Sequence, residues 1–164
     1  MPFFRTLLVA VFMLMLTALA GASAASAAPI HDDFERTVLA KINGLRANEG
    51  LTPLHSSRKL SRLASRHSRD QLRHDKLTHD GGDGTPFRVR VARVAKNALV
   101  GETVGWMPDG MNDRADAVVM MWMQSPGHRQ QLMRPRFRHI GVGRWYGAMG
   151  LTPGIAVTAD FSSK

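Results

Sequence analysis

The order of patterns along the chain predicts an α+β fold, on three observations. Apolar residues recur at helical spacing in several separate segments after residue 30. Two strand-like runs, "HIGVGRWYG" and "GIAVTADFS", close the sequence, and strands do not alternate regularly with helices. Helices first and strands last point to packed layers rather than a repeating βαβ unit, and no internal repeat suggests a solenoid.

The first 28 residues read as separate from that fold. "MPFFRTLLVAVFMLMLTALAGASAASAAP" sets Arg5 before an apolar run and follows the run with small residues around Ala25-Ser26-Ala27. That is the layout of a secretory signal peptide cleaved near residues 27 and 28. The competing reading is an uncleaved membrane anchor, because residues 6–30 carry no charge and roughly 20 apolar residues can span a bilayer. The Ala/Ser-rich tail favours cleavage, leaving residues 29–164 as a single domain, large enough for one core. Export normally permits disulfides, yet the chain has no cysteine, so stability has to come from packing. Losing Arg5 with the leader takes the formal charge from +9 to +8. Such a charge suits contact with anionic lipid head groups, acidic wall polymers or nucleic acid, and equally an ordinary soluble protein of arginine-rich composition.

Residues 32–49 predict the first helix. Asp32 or Asp33 caps it, Phe34, Val38, Ile42 and Leu45 form its stripe, Gly50 closes it and Pro53 bars continuation. A second helix runs from Ser56 or Ser57 to about Lys76. Leu60, Leu63, Ala64, His67 and Gln71 face inward, and Arg58, Lys59, Arg62, Arg66, Arg69 and Arg73 face outward. "THDGGDGTPF" is a loop of turn formers, and Thr85-Pro86 reads as the cap and first position of a short basic helix over residues 87–95. "VGETVGW", punctuated by glycine, reads as a loop or short strand. A fourth helix from Asn112 or Asp113 to Met123 turns Ala115, Val118, Val119 and Trp122 inward. In "WMQSPGHRQQL", Ser125-Pro126 is a helix start that places His128 in the first turn, where unpaired backbone N–H groups disfavour a charged imidazole. The two closing strands pair as a hairpin.

Five stretches together, in order, resemble the CAP superfamily of cysteine-rich secretory, antigen 5 and pathogenesis-related proteins, and specifically its cysteine-free bacterial branch. They are "VLAKINGLRANEGLTPL", "LTHDGGDGTPF", "GETVG", "AVVMMWMQSPGHRQQLMRPRFRHIGVG" and "VTADFS", spread over about residues 35–164. The resemblance implies a three-layer α-β-α sandwich with a small, mainly antiparallel sheet. It also implies a central cavity where two histidines and up to two glutamates can hold a divalent metal. His79 matches the first histidine, Glu102 the first glutamate and His128 the second histidine. Ser125 stands where the second glutamate falls in eukaryotic members, and Thr103 replaces the usual asparagine.

Two imidazoles and one carboxylate are the minimal set for a catalytic-type zinc site with a position left for water, so His79, Glu102 and His128 are the candidate metal ligands and candidate catalytic residues. The missing second glutamate removes an obvious base for that water. A metal-free Ser–His–Glu arrangement through Ser125 or Thr103 lacks any nucleophile-turn or oxyanion-hole signature. The three side chains can also simply hydrogen-bond one another and pin loops to the sheet. Of the other histidines, His67 reads as packed on the inner stripe with one hydrogen bond, His74 as hemmed by arginines, and His139 as a surface or edge residue. His31 and His55 fall in loops. Methionines 107, 111, 120, 121, 123 and 133 cluster about the fourth helix and read as core filler or the wall of a lipid groove.

The function expected is therefore an exported, secreted or periplasmic, binding or scaffold module for a lipid, cell-wall fragment or peptide. The alternative is a metal-assisted hydrolase of peptide, ester or phosphodiester bonds. A nucleic-acid binder is disfavoured by the export signal and by an arginine face without interleaved aromatics.

Overall fold

The computed structural model describes residues 33–110 and 115–164. The expected leader, residues 1–28, lies outside the described residues, as do Met111 and the expected start of the fourth helix at Asn112 or Asp113. The elements run α1 (Asp33–Asn48), β1 (His55–Ser56), α2 (Arg58–Arg73), α3 (Phe87–Ala92), β2 (Val100–Pro108), α4 (Ala115–Gln124), α5 (Pro126–Leu132), β3 (His139–Met149) and β4 (Thr152–Ser162). The strands form one sheet in the order β1-β3-β4-β2. β4 lies antiparallel to both β3 and β2, and the two-residue β1 adds a short parallel edge to β3.

Alternation along the strands assigns the two faces. Ile140, Val142, Ile155, Val157, Ala159 and Phe161 point to one side, where they join Val38 and Ile42 of α1 and Val118 and Trp122 of α4 in the main core. The other face receives α2. A Cβ at Gly141 would collide with the Ser61 backbone nitrogen, and one at Gly143 with that of Ser65, so these two glycines let α2 lie directly on β3. Thr158 on the same face accepts hydrogen bonds from Ser68 Oγ at 3.0 Å and Gln71 Nε2 at 3.1 Å, which fixes the helix along the strand. A smaller apolar cluster of Leu60, Leu63, Val91 and Ala95 seats α3 against α2.

Several expectations shift. α2 stops at Arg73, short of Lys76, because Asp75 adopts φ 49° and turns the chain into the loop that carries His79. α3 is shorter than expected and begins after Pro86, with no side-chain cap. Of the two readings of "VGETVGW", loop or short strand, the strand holds and is longer than expected. Val100–Pro108 is a nine-residue strand paired to β4 along its length, so Glu102 sits within a strand. Its glycines answer to packing. A Cβ at Gly101 would meet Gln131 and Phe137, and one at Gly105 would meet Met121. α5 is held by Arg46 of α1, which is fully buried and donates from Nη1 to the Leu132 and Arg134 carbonyls at 2.7 and 3.2 Å. That contact anchors the end of the helix whose first turn presents His128.

Candidate functional site

His79, Glu102 and His128 meet at the β2 edge of the sheet. Glu102 projects from β2 and its side chain is fully buried, while His79 comes from the loop after α2 and keeps 47% of its side chain exposed. The His79 Nδ1–Glu102 Oε1 separation is 2.9 Å, and the His79 and His128 rings lie edge to face with centroids 6.1 Å apart. Phe87 of α3 flanks His79 at 5.9 Å. Together with Ser125, Gln130 and Gln131 these residues border a cleft of about 330 Å³. His128 reaches it because Ser125 holds an extended φ of −89° and Pro126 occupies the first turn of α5.

Behind the cleft lies a layer of polar groups, Arg90, Asp160 and His67, of which the sequence anticipated only the packed His67. Arg90 of α3 donates from Nη2 to Glu102 Oε2 and to the His79 carbonyl. Its Nη1 lies 3.9 Å from Asp160 Oδ2, and Asp160 is the ladder partner of Glu102 on β4. His67 of α2 bonds the Thr78 carbonyl through Nε2 at 2.9 Å, as its place on the inner stripe suggested, and the same nitrogen is 3.9 Å from Glu102 Oε1. The one sequence signal for Asp160 is an acidic residue inside the apolar run "VTADFS". Arg90 carries no signal that separates it from its basic neighbours.

Burial and charge set the protonation of these groups. Burial disfavours ionised Glu102, but hydrogen bonds from His79 and Arg90 outweigh it and hold the carboxyl below its usual range. Asp160 is pushed well above the carboxylate range, first by complete burial and then by the Glu102 charge beside it. The hydrogen bond to Glu102 raises His79. Burial, then the proximity of His79, lowers His128, and burial lowers His67.

Both Glu102 oxygens are thus engaged, one by His79 and one by Arg90. Among the described residues no group of three or more His, Asp or Glu side chains is arranged to hold a metal ion. What the cleft offers is two imidazoles, with the carboxylate bonded behind one of them. Ser125 borders it, whereas Thr103 is fully buried.

The sequence profile of the cysteine-rich secretory protein family, CAP, matches residues 39–160. Over 111 residues the chain is 32% identical to the uncharacterized protein YkwD of Bacillus subtilis, covering 67% of this chain and 42% of that one. Its fold is similar to that of an extracellular protein of Bacillus anthracis that contains an SCP domain, with 22% identity and a TM-score of 0.66, over 80% of this chain and 40% of that one. It is also similar to NaASP2, in a crystal structure with Zn²⁺, at 12% identity and a TM-score of 0.56, over 79% of this chain and 80% of that one. The chain therefore spans about two fifths of the length of the two Bacillus proteins. The α-β-α layering is the fold these structures share, and with the family profile covering most of its length the chain belongs to the CAP family, as a member without cysteines.

Proposed function

We propose that this chain is an exported binding module whose central cleft holds a divalent metal ion or a small ligand between His79 and His128. The observation that carries this reading is the clamp on Glu102. With His79 on one oxygen and Arg90 on the other, the carboxylate orients an imidazole and is not free to take a proton from water. His79, committed to Glu102 through Nδ1, has Nε2 left for a ligand, and burial keeps His128 neutral, the form in which an imidazole ligates. Glu102 behind His79 is the carboxylate–histidine pairing that fixes the ring tautomer and strengthens a metal-bound imidazole. When bound, a zinc ion would supply Lewis acidity to whatever oxygen shares the cleft, with His79 and His128 as its protein ligands.

Export is supported by the leader-like N-terminus and by the description of the B. anthracis protein as extracellular. No helix among the described residues is long and apolar enough to cross a membrane. A lipid, wall fragment or peptide remains the partner class proposed for the cleft.

Tag-free protein, titrated calorimetrically with Zn²⁺ beside His79→Ala and His128→Ala, tests the reading. Saturable binding that both variants weaken by about tenfold or more supports it. Binding unchanged in both variants, or His128-dependent turnover of a model ester or peptide, overturns it in favour of a site elsewhere or of the hydrolase.

A further inference from the structure

On the other side of the His79 loop lies a second and larger concavity, of about 550 Å³, between α2 and α3 and bordered by residues of the 81–85 turn. Four arginines line it: Arg66 and Arg69 from α2, Arg90 from α3 and Arg93 just beyond α3. Its two carboxylates are committed to the turn itself. Asp70 Oδ2 accepts the Gly82 N–H at 2.6 Å while its Oδ1 lies 3.3 Å from His74 Nε2, and Asp83 accepts the Thr85 N–H at 2.8 Å. Arg69 lies over the Trp145 ring at 5.4 Å. Arg66 and Arg93 are exposed, and among the described residues neither has a carboxylate within salt-bridge distance, the Arg93 charge reaching Asp83 only from farther off. Arg90, which also lines the cavity, leaves its buried Nε–H without a hydrogen-bond partner.

Like charges gathered on one concave wall repel one another, and a buried N–H left unpaired is costly. A bound oxyanion relieves both. Guanidinium groups are suited to it, because their planar fork matches phosphate and carboxylate oxygens. The volume is that of a small-molecule site. We infer that the α2–α3 cavity is a second ligand site, distinct from the His79–His128 cleft, that takes a small polyanion bearing phosphate or carboxylate groups on Arg66 and Arg93. Arg90 and His67 belong to this wall and also contact or flank Glu102, so occupancy here is felt at the central cleft through those two side chains.

The test is titration of the full mature chain with pyrophosphate and, separately, citrate, with sucrose as the uncharged control, followed by calorimetry and by amide shifts of residues 81–85. Arg66→Ser/Arg93→Ser is compared with Arg58→Ser/Arg136→Ser, which removes the same charge from exposed positions outside the cavity. Saturable binding of one or both anions, weakened about tenfold or more only by the first pair, supports the site, and the preferred anion tells phosphate from carboxylate. No saturable binding, equal weakening by both pairs, or shifts that spare residues 81–85 overturns it.

Discussion

Glu102 on β2 and Asp160 on β4 stand opposite one another on one rung of the ladder, two carboxyl groups with Arg90 as the cation that reaches both. Both are buried, and one guanidinium does not neutralise two charges. Glu102, bonded by His79 and Arg90, takes the negative charge, and Asp160 keeps its proton. The site therefore rests on a divided pair: an ionised carboxylate that holds His79 and a neutral acid beneath it.

Asp160→Asn tests that division. Because the folded-state value of Asp160 lies above the unfolded one, its contribution to stability is complete below the ordinary carboxylate range and falls away as pH rises through the folded value. An amide needs no proton, so the variant should lose less stability than the parent between pH 5 and pH 8. It should be at least as stable at pH 8. Urea denaturation at both pH values measures this. A variant destabilised at pH 8 by more than about 1 kcal/mol would show that Asp160 is ionised in the fold.

The histidines should separate in a pH titration followed by imidazole NMR. His79 is expected above the ordinary histidine value of 6.5, and His67 and His128 below it. Stability owed to His79 is present below its unfolded value and lost as pH rises through the folded one. That owed to His67 and His128 is present above the ordinary value and lost as pH falls through theirs. Glu102→Gln removes the carboxylate that raises His79, so the His79 midpoint should fall. A midpoint unmoved by that change would mean that the hydrogen bond between them is not formed in solution.

Arg90 is the third member of the network, with its side chain 11% exposed. Arg90→Met keeps much of the packing and leaves the Glu102 carboxylate without its guanidinium, and removing one partner of a buried pair costs roughly 3–5 kcal/mol. Arg90→Met/Glu102→Gln should recover a good part of that loss, because the uncompensated charge is gone. Additive losses in the double variant would show that the pair is not coupled.

How much of this was legible in the sequence follows from the kind of signal each part leaves. The stripes of α1, α2 and α4 and the closing hairpin are periodic, and apolar periodicity survives being read one residue at a time. The strand β2 was obscured because Gly101 and Gly105 look like turn residues when they are close-packing positions against α5 and α4. His79 and His128 stood out as histidines beside turn formers, and the family resemblance joined them to Glu102. Arg90 and Asp160 could not be singled out, since their role exists only after α3 and β4 are brought beside β2. Arg46 was hidden likewise, a cation on α1 buried by the carbonyls at the end of α5.

Trp122 links the core to the site. It is fully buried on α4, as its stripe predicts, and its indole Nε1 donates to the Val104 carbonyl at 3.1 Å, two residues along β2 from Glu102. β2 is the outer strand of the sheet, so this bond ties it to the helical layer on the main-core side. Trp122→Ala should cost roughly 3–5 kcal/mol by thermal or urea denaturation, the range for a buried aromatic truncation. Trp122→Phe keeps most of the apolar contact and gives up only the N–H, at about 1–3 kcal/mol if the carbonyl is left unpaired. The second substitution should also loosen β2 locally, seen as faster amide exchange in β2 with the α2–β3 contacts unchanged. Equal, small losses in both variants would place the indole at the surface and detach the stability of β2 from the packing of α4.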